Sequence, residues 1–304
     1  MVVDTVPRKL IVFAFFTMWA NSQATDASLQ RVALCFFGLT RSLNYTVNNL
    51  RSSIIDPLLM HDVKVDIFLH SYNVTTFSNP RSSETDAHLE SGAWKMLRAD
   101  LVETEDPAVV EAMFVAPNLQ EFLAKGDPWG EGPEHLSLKN LIKSLHSQKQ
   151  VTKMWTASGN KYDVVCYLRT DLWFYNLLTI SELSTAQQHR DQLYTPDFHM
   201  WGGLNDRLAF GVPQVMSVYG NRIDMAKSYA KEHPLHSETF LKAAMQEASI
   251  GCSYSSMRFA RVRATGELWS IWYNESDMQT SEPAMRPHLR FVKGHHGLAQ
   301  LVPS

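Results

Sequence analysis

The chain has 304 residues, 45% of them apolar and 19% charged, a composition that is typical of globular proteins and excludes a wholly disordered chain. Its formal net charge of -3, without a dense run of lysine and arginine, argues against a nucleic-acid-binding protein. The three cysteines have no CxxC pair and no histidines at zinc-site spacing, so we do not expect structural zinc.

The N-terminal residues predict entry into the secretory pathway. Arg8 and Lys9 precede an apolar stretch over 10–20, and Ala24 ends a small-residue site for signal peptidase. We predict a signal peptide over 1–24. An uncleaved signal anchor is the alternative, and only then would the chain contact a membrane, although the stretch is shorter than the roughly 20 residues that span a bilayer. The ER or Golgi lumen, or secretion, is expected. Three glycosylation sequons agree, at Asn44, Asn73 and Asn274.

The first predicted unit is a strand, a glycine turn, a helix and a second strand. The apolar run 31–37 predicts a buried strand that ends at Gly38. Apolar residues then recur at helical spacing from Leu43 to Leu58, and the run 65–70 predicts the next strand. Two strands joined by a helix over so short a span predict a parallel crossover, the beginning of a Rossmann-like sheet.

Residues 75–133 have the weakest periodicity, and proline and glycine interrupt them repeatedly. We predict an irregular insertion here, with a short strand near 97–102 and a helix near 107–114. A long helix follows, and its apolar face also carries Gln148 and Lys149. These two polar residues either point into a ligand crevice, as donor-binding candidates, or lie in water where the helix projects past the sheet.

The central strand is predicted over 164–168, an unbroken apolar run that is typical of a strand buried on both faces. It leads into Arg169 and Asp171, at the carboxyl edge where open α/β sheets bind ligands. Burying an ionised group without a partner is costly, so these residues either pair with each other or meet a ligand or metal ion.

Two further strands follow the central one. The run 192–196 predicts a short edge strand, and 208–211 predicts a strand that begins directly after the polar triplet of Asn205, Asp206 and Arg207. A polar triplet again adjoins an apolar strand, as it does after the central strand.

The C-terminal third predicts helices, one strand and a tail. One helix begins at Pro213, and a second begins with Ser237 as its N-cap. A strand carrying three arginines is predicted over 254–263, and a loose tail over 266–304.

Three segments, taken in order, resemble a known family. They are 35–42, at the end of the first strand and its turn; 162–171, which ends in Arg-Thr-Asp; and 205–211, which reads Asn-Asp-Arg-Leu-Ala-Phe-Gly and precedes a His-x-x-x-x-Glu run over 233–238. This order and spacing resemble the nucleotide-sugar-dependent glycosyltransferases of the GT-A fold. The resemblance covers about 31–263. It implies a single-domain α/β fold with a mixed, mostly parallel sheet flanked by helices.

The resemblance implies a nucleoside diphosphate sugar as the donor. In that arrangement Gly38 and Arg41 contact the nucleotide and the diphosphate, and Arg169 helps to neutralise the charge of the leaving diphosphate. Asp171 would bind Mn²⁺ or Mg²⁺. The sequence departs from the family pattern here, because the familiar metal motif has two acids, Asp-x-Asp, and this chain has Arg169-Thr170-Asp171.

Asp206 and Glu238 are the two catalytic candidates on the acceptor side. Asp206 either binds the transferred sugar or the acceptor, or only pairs with Arg207. Glu238 either acts as a general base toward the acceptor hydroxyl, or only stabilises the first turn of its helix through the helix dipole.

We therefore predict a luminal or secreted glycosyltransferase that transfers a sugar to a glycan, protein or lipid acceptor. The alternative is an inactive carbohydrate-binding protein on the same scaffold, since fold alone does not determine chemistry. The prediction requires Gly38, Arg41, Arg169, Asp171 and Asp206 to converge at one edge of the sheet.

Overall fold

The computed structural model of the protein describes residues 28–79, 84–269, 290–293 and 299–302. The predicted signal peptide over 1–24, the sequon at Asn274 and most of the predicted tail over 266–304 lie outside these ranges. No helix within the described ranges combines the length and the apolar character that a membrane crossing requires.

The helices and strands are numbered in chain order. The strands are β1 (Arg31–Phe37), β2 (Lys64–Tyr72), β3 (Thr76–Asn79), β4 (Glu84–His88), β5 (Leu101–Glu105), β6 (Val164–Arg169), β7 (Leu172–Phe174), β8 (Gln192–Pro196), β9 (Leu208–Gly211), β10 (Gly251–Ser255), β11 (Phe259–Val262), β12 (Glu267–Trp269), β13 (Arg290–Lys293) and β14 (Ala299–Val302). The α-helices are α1 (Leu43–Leu50), α2 (Asp56–Leu59), α3 (Pro107–Val110), α4 (Ala116–Phe122), α5 (Leu136–Ala157), α6 (Ile180–Gln188), α7 (Pro213–Asn221), α8 (Ala226–Ala230) and α9 (Ser237–Glu247). Single π-helical turns join α1 to α2 and α3 to α4, and a 3-10 turn joins α7 to α8.

Seven strands form the central sheet in the order β10-β8-β9-β6-β1-β2-β5. Neighbouring strands are parallel, except that β9 runs antiparallel to both β6 and β8. With helices on both faces, this sheet confirms the predicted α/β class with a mixed, mostly parallel sheet. The prediction of 192–196 as an edge strand is wrong, because β10 pairs with it on its outer side.

The core lies on both faces of β1 and β6. Phe36 and Cys166 belong to the apolar cluster that includes the buried residues of α1 and α2. Cys35 and Tyr167, their neighbours along the chain, belong to the cluster that includes α5, α7 and α9. Because successive side chains of a strand point to opposite faces, an unbroken apolar run suits a strand that is covered twice. The prediction of a doubly buried central strand over 164–168 is confirmed.

A second, antiparallel sheet has the strand order β13-β14-β12-β11-β7. The single strand predicted over 254–263 is therefore wrong, since β10 belongs to the central sheet and β11 to the second one. Between them the chain changes direction at residues 256–258, where the Ser256 amide donates to the Glu182 carboxylate at 2.8 Å and the Arg258 amide donates to Asn176 Oδ1 at 2.7 Å. These bonds replace strand pairing, so the stretch 254–263 is divided between two sheets.

The region predicted as an irregular insertion, 75–133, contains several short elements. They are the β3–β4 hairpin, a 3-10 turn at Ala93–Leu97, strand β5, and helices α3 and α4. The strand predicted near 97–102 lies a few residues later, as β5 at Leu101–Glu105, because Leu97 ends a 3-10 turn; β5 adds in parallel to the outer side of β2.

One polar residue on the apolar face of α5, Thr152, is accounted for by its packing against the sheet. Thr152 is 2% exposed, and its hydroxyl donates to the Gln148 carbonyl at 2.6 Å and lies 2.6 Å from the Tyr167 hydroxyl. The Trp155 indole donates to the same Tyr167 hydroxyl at 2.9 Å. Gly220 of α7 faces this pair, and a side chain there would collide with both hydroxyls. Thr152, Trp155 and Tyr167 thus form a buried polar contact between α5 and β6, and α7 packs directly against it.

We predict that Tyr167→Phe lowers the free energy of unfolding by about 1–3 kcal/mol, because it leaves the buried indole N–H of Trp155 without its acceptor. Urea denaturation measures this change. Tyr254→Phe is the control, since Tyr254 is 57% exposed and its replacement should change stability by less than about 0.5 kcal/mol. Equal losses in the two variants would contradict the role given to the Tyr167 hydroxyl.

Candidate functional site

A cavity of about 700 Å³ opens at the carboxyl edge of the central sheet. Six of the eight site residues predicted from the sequence line it: Gly38, Arg41, Arg169, Asp171, Asp206 and Glu238. The other two, Gln148 and Lys149, are not among its lining residues.

Strand directions explain this convergence. Gly38 follows β1 and Arg169 ends β6, and because these strands are parallel neighbours their carboxyl ends meet at one edge. Asp206 precedes β9, which runs the opposite way, so the beginning of β9 lies at that same edge. The Arg169 amide donates to the Arg207 carbonyl at 3.1 Å and holds the two segments together.

The Gly38 turn is fixed from the side of α5. Gly38 has a φ of +85°, a conformation that glycine adopts without strain, and its amide donates to the Ser147 hydroxyl at 2.9 Å. Ser147 of α5 therefore holds the backbone of the turn in place. Gln148 is 2% exposed and packs inside the protein, and Lys149 forms an ion pair with Asp224 at 2.5 Å. Neither geometry supports donor binding.

Asp171 is held by two arginines. Its Oδ1 accepts from Arg169 Nε at 2.8 Å, and its Oδ2 accepts from Arg169 at 2.6 Å and from Arg41 at 2.7 Å. Burial alone would raise the pKa of Asp171, but the Arg169 and Arg41 guanidiniums outweigh it and hold the pKa well below its usual range. The sequence left open whether Arg169 and Asp171 pair with each other or meet a ligand or metal ion. In the structure they pair with each other.

The arrangement does not fit the metal role predicted for Asp171. Both of its oxygens already accept hydrogen bonds from guanidiniums, and its side chain is 2% exposed. Within the described part of the chain, no three histidine, cysteine, aspartate or glutamate side chains are grouped so that they could hold a metal ion. A divalent cation normally requires several oxygen ligands.

Three arginines of the cavity wall were not predicted as site residues: Arg207, Arg261 and Arg263. Arg261 and Arg263 are two residues apart, at the end of β11, so they lie on one side of the strand. The Val262 amide between them donates to the Asp171 carbonyl at 2.8 Å. Charged residues alternating with apolar ones were the available signal, but the sequence does not reveal that β11 pairs with β7 directly after Asp171.

The β3–β4 hairpin forms a further wall of the cavity. Glu84, the first residue of β4, is 3% exposed and lies 3.2 Å from Arg41 and 3.6 Å from Arg263. The ring of Phe77 lies 5.2 Å from the Arg41 guanidinium, within the range of a cation–π contact. Arg41 is therefore fixed between two carboxylates and an aromatic ring.

On the opposite side, Arg207 connects the two predicted catalytic acids. Its guanidinium lies 3.0 Å from Asp206 Oδ1 and 3.1 Å from Glu238 Oε1. His236 Nδ1 lies 3.3 Å from the other Glu238 oxygen. The prediction of Ser237 as the N-cap is wrong, because His236 occupies that position and the Ser237 hydroxyl donates to Asp206 Oδ2 instead.

The two acids titrate differently because their surroundings differ. Burial and the nearby Asp206 carboxylate raise the pKa of Glu238 to about 7. Burial also acts to raise the pKa of Asp206, but Arg207 and the bond from Ser237 outweigh it and lower that pKa. Glu238 can thus gain or lose a proton near neutral pH, whereas Asp206 stays ionised.

The loop before β9 supplies an exposed aromatic surface and a close backbone contact. Trp201 is 52% exposed and lines the cavity mouth, where its indole is of a type that stacks on sugar rings. At Gly203 any side chain would collide with the Glu238 carbonyl, and the next amide, that of Leu204, donates to this carbonyl at 3.0 Å. The loop therefore holds the first turn of α9 through the backbone.

Comparison with solved structures finds 137 matching chains, among them a mouse enzyme. The apo crystal structure of mouse xyloside xylosyltransferase 1 covers 75% of this chain and 85% of its own, with 12% identical residues and a TM-score of 0.37. The chain matches no protein-family model and no curated protein sequence. This neighbour is a glycosyltransferase by name.

We predict that the free energy of unfolding of the wild type, measured against that of Glu238→Gln, declines as the pH rises from about 4.5 to about 7. Between these values the unfolded chain has released the proton of Glu238 and the folded protein retains it, because its folded pKa is raised. The distance between the two pKa values corresponds to a decline of about 3 kcal/mol.

Urea denaturation of both proteins across this pH window measures the decline. Glu247→Gln, at the exposed end of the same helix, should show no such trend against the wild type. A pH-independent difference between the wild type and Glu238→Gln would contradict the raised pKa.

Proposed function

We propose that the protein is a glycosyltransferase of the GT-A type that transfers a sugar from a nucleoside diphosphate sugar to a hydroxyl of a glycan, protein or lipid in the secretory pathway. One observation supports this above all. Every segment that carries the family resemblance contributes to one cavity, through Arg41, Arg169, Asp206 and Glu238. The cavity volume, about 700 Å³, lies within the range of small-molecule sites.

The donor side of this proposal is the edge formed by the Gly38 turn and Arg169. The turn is open, since nothing lies within 4 Å of the place where a Gly38 side chain would be, and a nucleotide can approach its backbone closely. Guanidiniums next to the turn neutralise the charge that develops on the leaving diphosphate. Asp171 has a positioning role, because it orients Arg41 and Arg169 toward the cavity.

Glu238 is the general base of the proposed reaction. Its carboxylate takes the proton of the acceptor hydroxyl while the acceptor oxygen bonds to the anomeric carbon of the sugar. The bond from that carbon to the diphosphate oxygen breaks, and its electron pair leaves with the diphosphate. A pKa of about 7 suits this task, since a base works best when its pKa lies near the working pH. Asp206 positions Arg207 and Ser237 beside Glu238.

We predict that the purified protein binds and hydrolyses or transfers at least one sugar from a panel of UDP- and GDP-sugars. At about one hundred times its dissociation constant, the bound donor should stabilise the fold by about 2.7 kcal/mol. Glu238→Gln should lower turnover by about 10²–10⁴-fold without weakening donor binding, because it removes the base and keeps the shape.

Release of the nucleoside diphosphate measures turnover, and a thermal shift measures binding. Glu247→Gln serves as the matched control on α9 and should behave as the wild type. Donor binding without any turnover by the wild type would favour an inactive carbohydrate-binding protein. If no nucleotide sugar binds, the proposal is wrong.

A further inference from the structure

The cavity wall carries an excess of positive charge. Among its described lining residues, five arginines and one lysine face three carboxylates: Arg41, Arg169, Arg207, Arg261, Arg263 and Lys143 against Asp171, Asp206 and Glu238. Glu84 behind Arg41 adds one further carboxylate and leaves the cations in the majority. We call the five arginines the arginine cluster.

The cluster brings together four separate parts of the fold. Arg41 lies in the turn before α1, Arg169 ends β6, and Arg207 precedes β9. Arg261 belongs to β11 and Arg263 directly follows that strand. Backbone bonds fix these parts relative to one another, since Arg169 donates to the Arg207 carbonyl at 3.1 Å and Val262 donates to the Asp171 carbonyl at 2.8 Å. The cluster is therefore built from strand ends of both sheets and from the turn before α1.

Like charges crowd one another within the cluster. Burial and the neighbouring Arg207, Arg263 and Arg169 hold the pKa of Arg261 well below its usual range. Burial and the nearby Arg41 lower the pKa of Arg263 to about 10. Such crowding destabilises the charged forms, and an anion bound between the guanidiniums relieves it.

The same geometry leaves little for a metal ion to bind. The Asp171 carboxylate, the acid expected to bind the metal, already accepts three hydrogen bonds from Arg169 and Arg41. Asp206 and Glu238, on the other side of the cavity, are both paired with Arg207. A cation would have to displace guanidiniums from buried carboxylates, which is costly.

We propose that the arginine cluster binds the diphosphate of the donor directly, in place of a divalent cation. This inference rests on the proposed function and extends it to a charge-neutralising set that includes Arg207, Arg261 and Arg263. Planar guanidiniums match phosphate oxygens with paired N–H donors. When the bond to the sugar breaks, the electron pair stays on the diphosphate oxygen, and the cluster neutralises the added charge without a further reactant.

The first test is calorimetric binding of UDP and GDP to the wild-type protein, in EDTA and again in Mn²⁺. We expect at least one of them to bind in EDTA, with an affinity within about threefold of that in Mn²⁺, a small difference on the free-energy scale. Binding that requires Mn²⁺ overturns this inference and leaves the proposed function intact. If neither UDP nor GDP binds in EDTA or in Mn²⁺, and no nucleotide sugar binds either, the proposed function itself is wrong.

The second test compares two arginines in EDTA. Arg261→Gln should weaken binding of UDP or GDP by at least about tenfold, the value of one charge-assisted hydrogen bond, and should leave the thermal unfolding temperature of the free protein unchanged or raised. Arg258→Gln is the matched control, because Arg258 pairs with Asp197 at 2.8 Å outside the cavity, and it should bind as the wild type does. Equal affinity of Arg261→Gln and the wild type overturns the inference.

A third measurement needs no variant. Raising NaCl from ~50 mM to ~500 mM in EDTA should weaken diphosphate binding by at least about tenfold, because salt screens the attraction between the cluster and the anion. Binding that is insensitive to salt overturns the inference.

Discussion

The structure depends on one buried set of charges, the Asp171 carboxylate between Arg169 and Arg41. This carboxylate connects the end of β6 with the first helical segment, and the backbone carbonyl of the same residue receives the bond from β11. Breaking a buried pair by removing one partner is strongly destabilising, because the other charge remains without compensation. The central sheet, the second sheet and the cavity therefore meet at Asp171, and its surroundings contribute to both the geometry and the charge of the site.

Much of this arrangement follows from local features of the sequence. The unbroken apolar runs over 31–37 and 164–168 indicate doubly buried strands, and such strands are parallel neighbours covered by helices. Polar residues directly after the second run, Arg169 and Asp171, must then lie at the carboxyl edge. Gly38 reaches this edge in the same way. These residues could be predicted because each is placed by the strand that it follows.

The remaining features depend on long-range pairing, which local patterns do not encode. The run 254–263 looks like one strand, yet it is divided between two sheets where its backbone amides donate to the side chains of Glu182 and Asn176. That division is what brings Arg261 and Arg263 to Asp171. In the same way, the polar residues Gln148 and Lys149 of α5 suggest a contact with the cavity. Gln148 is buried, however, and Lys149 pairs with Asp224, whereas Ser147 bonds to the Gly38 turn. Helical periodicity predicts which residues share a face of α5, but it does not predict which residue each of them contacts.

The backbone contact between the loop before β9 and the first turn of α9 has an evolutionary consequence. Position 203 lacks the room for even a methyl group, since the Glu238 carbonyl fills the space where it would extend. A residue other than glycine at position 203 would therefore displace the first turn of α9, which carries Glu238. Evolution of the loop is therefore restricted at position 203 by the backbone of α9 and not by a ligand.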